Sequence, residues 1–142
     1  MENHDISLSI NPETIYAIID RIHEFQAKEG IVLPEEMDAI SSHSALQILA
    51  DHQDDLSYQE ALNEITNLEP DQQAELIALM WLGRGDYSKE EWKQALEEIT
   101  RSFNFYNQDV GRYLFGKPQV VEYLLEGLKQ LGYPNEEAWL SK

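Results

Sequence analysis

Residues 76–87 read LIALMWLGRGDY, seven consecutive apolar residues followed by an arginine held between two glycines. Seven residues make about two turns of helix, so such a run puts apolar side chains on every side of the cylinder. A helix of that kind is stable in water only when other helices surround it. The run is far short of the roughly 18 apolar residues that a membrane span needs. Upstream, Glu69-Pro70-Asp71 has the form of a helix start, with proline at the first helical position and an acid in the first turn. The spacing therefore predicts a central buried helix over 70–82 that stops at Gly83. Gly83 and Gly85 then offer backbone angles costly for other residues and turn the chain into the next element.

The rest of the chain supplies amphipathic partners for that helix. Asn11-Pro12-Glu13 is a start signal, and Ile15, Ile18, Ile19, Ile22 and Phe25 follow at helical spacing, with Gly30 as the stop. Ile31-Val32-Leu33-Pro34 reads as a short extended piece, and residues 35–55 read equally as helix or loop. Ser57 and Glu60 form a capping-box pattern ahead of Ala61, Leu62, Ile65 and Leu68. Ser88 and Glu91 repeat it ahead of Trp92, Ala95, Leu96, Ile99 and Phe103. Pro118 opens a stripe of Val121, Leu124, Leu125, Leu128 and Leu131, which Gly132 closes as a left-handed cap, with Tyr133 in the cap contact and Pro134 beyond. Nothing alternates with the period of a strand. The expectation is a single all-α domain over 1–142 with five or six helices. In it 58–67 and 89–103 flank the central helix, and the N-terminal 12–56 packs on the rest.

Charge narrows the classes of partner. The formal net charge is −17, and residues 29–83 hold 12 acidic residues with no lysine or arginine. Such a field repels phosphate backbones and anionic lipid head groups, so nucleic acid and membrane surfaces are not expected partners. It suits solvated helix faces, or a basic protein partner, or mimicry of a nucleic acid. The absence of cysteine excludes disulfides and cysteine-based chemistry. MENHDISLSI lacks the basic and apolar regions of a signal peptide, so the expected location is the cytoplasm.

The segments ALMWLGRGD (78–86), EEW (90–92) and YLFGKPQVVEYLLEGLKQLG (113–132) resemble a bacterial family known as domain of unknown function 3775. The resemblance covers about residues 65–132, and its hallmark is the Trp-Leu-Gly-Arg-Gly-Asp segment between two helices. It implies an all-helical bacterial domain. It implies no activity and assigns no catalytic or binding residue.

Arg84 is the most pointed candidate for binding chemistry. Flanking glycines let a ligand or a second backbone come close, and a guanidinium grips a carboxylate or phosphate with two bonds. Trp81, Tyr87 and Trp92 are the side chains expected to line a pocket around it. The structural alternative is an ion pair with Asp86 or with an acid of the 29–83 stretch. Arg84-Gly85-Asp86 also spells an adhesion tripeptide, a chance match in a chain without secretion features. His4, His23, His43 and His52 are scattered, and only Asp20 and His23 share a helix face, so no metal site or cofactor is expected. Asp51, Asp54 and Asp55 lack the glycine of a calcium loop. The series Asp86, Ser88, Glu90 and Glu97 has Glu91 where that glycine belongs. No nucleophile elbow or phosphate-binding fingerprint is present.

The last feature is aromatic: Phe103, Phe105, Tyr106, Tyr113 and Phe115 fall within 13 residues, between two strongly patterned helices. Rings placed there either plug the end of a helical bundle or anchor a protein interface. Tyr106 is the ring expected in solvent, and Phe105, Tyr106 and Trp139 are the candidate partner-binding residues. Three functional readings follow. The first is a non-catalytic acidic interaction or scaffold module that docks a protein partner or itself. The second is an enzyme or binder of anionic small molecules around Arg84. The third is a nucleic-acid-mimicking inhibitor of a basic protein.

Overall fold

The computed structural model describes residues 7–27 and 56–133, without the side chain of Ser57. His4, Gly30, the 31–34 piece, the 35–55 stretch with His43, Asp51, His52, Asp54 and Asp55, the Ser57 cap, Pro134 and Trp139 lie outside the described residues. Within them the protein is all-α, with six helices and no strand: α1 (Pro12–Ala27), α2 (Leu56–Thr66), α3 (Pro70–Arg84), α4 (Trp92–Ser102), α5 (Asp109–Phe115) and α6 (Val120–Gln130). A single 3₁₀ turn, Lys89–Glu91, leads into α4.

Helix α3 is the centre, as its apolar run requires. Gln73 through Met80 are buried without a break, and Leu82 joins them. Its main neighbour, however, is α6, with α4 second. The expected flank at 58–67 belongs to α2, which packs chiefly on α1 and α5. The reason lies in two glycines. A Cβ on Gly83 of α3 would collide with the Tyr123 carbonyl oxygen of α6, and a Cβ on Gly127 of α6 would collide with the Leu79 carbonyl oxygen of α3. The two backbones therefore approach more closely than any pair of side chains would permit.

Gly83 is consequently not the helix stop that the sequence suggests. It is helical, and the stop is Gly85, whose φ of 94° is left-handed. The stop at Gly132 falls where expected, with φ 88° and the Tyr133 N–H bonded to the Leu128 carbonyl at 3.0 Å. The aromatic stretch after α4 also differs from expectation, because half of it is helix α5. Seven residues with Gly111 in their midst carry too short a period to announce a helix. Gly111 is there because a Cβ would meet Leu62 Cδ2 of α2 at 2.6 Å.

Helix α1 closes the other side of the core. Ile15, Tyr16, Ile18, Ile19, Ile22 and Phe25 are buried. Phe25 stacks on Tyr58 with ring centroids 4.9 Å apart, and the Phe115 edge meets both rings at 5.2 and 5.1 Å, so one aromatic triad joins α1, α2 and α5. The start of α1 is fastened to α3 by polar contacts. Glu75, 6% exposed, accepts the N–H groups of Ser9 at 3.0 Å and Ile10 at 2.9 Å. Gln72 donates to the Ser9 carbonyl at 3.3 Å, and the Ser9 hydroxyl donates to Asp71 at 3.2 Å. Burial raises the Glu75 pKa above the usual carboxylate value. The two backbone N–H bonds lower it in part, and the Asp71 charge adds to the rise.

Candidate functional site

Two places combine aromatic and charged side chains at the surface: the corner at Arg84 and the end of α4.

At the corner, α3 ends in a tight chain reversal. The Gly85 N–H bonds to the Trp81 and Leu82 carbonyls at 3.1 Å each, and the Asp86 N–H bonds to the Trp81 carbonyl at 3.0 Å. This brings the Asp86 carboxylate back over Arg84, whose Nε and Nη2 both donate to Asp86 Oδ2 at 3.0 and 2.7 Å. Of the partners the sequence left open, the structure selects the nearest in the chain. The arginine side chain is 20% exposed and the aspartate 44%. Burial alone would lower the guanidinium pKa, but the bond to Asp86 and the proximity of Tyr113 together raise it, so the group stays charged.

The rings around the corner are also engaged. Trp81 stacks on Tyr87 with centroids 5.6 Å apart and planes 9° from parallel, and the Trp81 indole N–H donates to the Tyr113 hydroxyl at 2.9 Å. Tyr113 in turn meets the Phe103 ring edge at 5.0 Å, and the Lys117 Nζ lies 4.8 Å from its ring centroid. Trp92, the third ring expected there, opens α4 and is buried in the hydrophobic core.

At the end of α4, the first turn of α3 (Pro70, Asp71), the last turn of α4 (Thr100, Arg101, Ser102) and the linker 103–106 line a groove of about 750 Å³. Phe105 and Tyr106 are adjacent in sequence but opposite in fate. Phe105 is 7% exposed, whereas Tyr106 is 83% exposed. Two side chains separate them. The Gln73 amide, fully buried on α3, donates to the Phe105 carbonyl at 3.0 Å and also to the Thr66 and Leu68 carbonyls, which ties the linker down at that residue. Asn104 Oδ1 then accepts the Tyr106 N–H at 2.8 Å, an Asx turn that swings the next side chain outward. The other exposed large apolar side chain among the described residues, Leu56, stands at the start of α2.

Gln73, Glu75 and Lys117 are the buried polar residues among those described, and none of them stands out in the sequence. For the first two a signal nonetheless exists. They lie on a helix apolar on every other side, so each must meet backbone groups from a neighbouring segment. Among the described residues no group of three carboxylate or histidine side chains is placed to hold a metal ion, and His23 is exposed. Ser88 and Glu91 sit in a cap, with Glu91 accepting the Ser88 N–H at 2.8 Å, and a 3₁₀ turn follows rather than a calcium loop. No helix of the described residues is long and apolar enough to cross a membrane.

Fold and surface together define a small all-helical domain whose arginine corner is closed on itself and whose open feature is an aromatic-lipped groove. Residues 58–133 match the family described as "Protein of unknown function (DUF3775)", just over half of the chain, and the protein belongs to that family. The match takes in α2 through α6, hence both the corner and the groove, and leaves α1 outside. No curated protein and no solved structure matches the chain.

Proposed function

We propose that the protein is a small, acidic, non-catalytic interaction module that docks a protein partner in the groove beside Tyr106. The observation that carries this reading is Tyr106 itself, 83% exposed at the lip of a groove of about 750 Å³. A large ring held in solvent by a fixed backbone turn loses apolar surface to water until a partner covers it. The turn fixes the backbone that carries the ring, so part of the ordering cost of binding is met beforehand. Rings of this kind, next to a hollow that a partner side chain can enter, are the usual energetic centres of protein interfaces.

The reading built on Arg84 ranks second, because the Asp86 carboxylate already accepts from two of its nitrogens and offsets its charge. Nucleic-acid mimicry ranks third. It calls for carboxylates in regular array, and α4 mixes Lys93 and Arg101 with Glu97 and Glu98.

The direct test replaces Tyr106 with a photo-crosslinking phenylalanine in the source cells and uses the exposed Lys93 position as control. A discrete adduct at 106, absent at 93, is the expected result. Equal labelling at both positions, or none at either, removes the groove as a docking site.

A further inference from the structure

The charges around the groove go further than its shape, and this step rests on the docking reading above. Asp71 lines the groove directly, and Glu69, the exposed residue before Pro70, stands beside it. On α4, Arg101 is the one cation of the lining, and its guanidinium lies 3.9 Å from the Glu98 carboxylate, so the Glu98 charge largely offsets it. Asp71 and Arg101 thus balance within the lining, and Glu69 and Glu98, which adjoin it at Pro70 and Arg101, tip the surroundings negative. Behind it stands a chain of net charge −17. A second copy of the chain, an acidic peptide or a nucleic acid would meet this field with like charge, which costs association rate and affinity alike. The Thr100 and Ser102 hydroxyls of the lining donate to the Leu96 and Glu98 carbonyls, so their oxygens remain as acceptors at the same place.

We infer that the groove receives a cationic segment of another protein: one apolar side chain packs against Tyr106 and Pro70, and flanking lysines or arginines reach Asp71, Glu69 and Glu98. The apolar contact positions the segment, and the carboxylates supply much of the affinity, the selectivity and a strong dependence on salt.

The test uses the full chain, isotopically labelled for NMR, and three capped probe peptides that differ only in charge: Lys-Lys-Leu-Lys-Lys, Gln-Gln-Leu-Gln-Gln and Glu-Glu-Leu-Glu-Glu. The lysine peptide is expected to shift the signals of Asp71 and of residues 100–106 saturably. Tyr106→Ala should weaken that binding about tenfold. Asp71→Asn and Glu98→Gln should each weaken it about threefold, and raising NaCl to about 0.5 M should abolish most of it.

Equal binding of the glutamine peptide at the groove leaves a docking site but overturns its preference for cations. Shifts from the lysine peptide that spread over every acidic helix face, with Tyr106 unmoved, overturn the inference. The crosslinking experiment then decides separately whether the groove docks anything. Groove signals that move with protein concentration alone make the occupant a second copy, which also overturns it.

Discussion

The corner at Arg84 and the groove at Tyr106 are built from the same kinds of residue and reach opposite ends. Each follows the end of a helix, and each combines rings with an arginine. At the corner the partners come from the chain itself: Asp86 for the guanidinium, Tyr113 for the Trp81 indole N–H, and Trp81 for the Tyr87 ring. At the groove one ring is held out of the core by the turn that fixes its neighbour inside. A rich motif thus marks a well-satisfied piece of architecture in one case and an available surface in the other. What separates them is whether the partners come from within the chain.

The largest effect that tests this contrast is steric. Gly83→Ala, which drives a methyl into the α6 backbone, is expected to cost about 3 kcal/mol. Gly85→Ala, with nothing within 4 Å of the new Cβ but a φ of 94°, should cost only about 1–2 kcal/mol. Urea denaturation measures both. Equal costs would mean that the two glycines serve the same turn. Next comes the closure of the corner. Asp86→Ala frees a guanidinium that is 20% exposed and should lower stability by about 1 kcal/mol. A loss below the error of the melting curves would show the ion pair to be incidental and would return Arg84 to the list of ligand-binding residues.

A smaller effect depends on pH and concerns the α3 end that borders the groove. Glu75 has a folded-state pKa raised by burial, so its carboxyl holds a proton more tightly folded than unfolded. The stability this confers is present at low pH and is lost as pH rises through the folded-state value. Wild-type protein should therefore lose stability relative to Glu75→Gln as pH rises above the ordinary carboxylate value of 4.5. Parallel stability–pH curves for the two proteins would show that the Ser9 and Ile10 bonds cancel the cost of burial. The smallest effect on stability belongs to the groove. Tyr106→Ala should change it by no more than about 0.5 kcal/mol, because the ring is 83% exposed. A drop of several times that size would mean that Tyr106 packs within the fold, and the contrast between the two regions would fail.

The sequence alone determined the elements whose signals are local. An apolar run with no polar side made α3 the central helix, paired side chains capped α4, and Gly132 stopped α6 one turn after its last buried leucine. It also marked Tyr106 as the ring to find in solvent. It did not reveal that α6 rather than α2 is the close neighbour of α3, because the reason for Gly83 is a carbonyl oxygen forty residues away. Nor did it show what holds Phe105 in while Tyr106 stays out. That choice belongs to a buried glutamine on another helix, which anchors one backbone carbonyl and leaves the next side chain to the solvent. Periodicity and caps act within a turn or two of chain and can be read along it. Close approach and buried polar pairing act across space, so only the tertiary structure decides them.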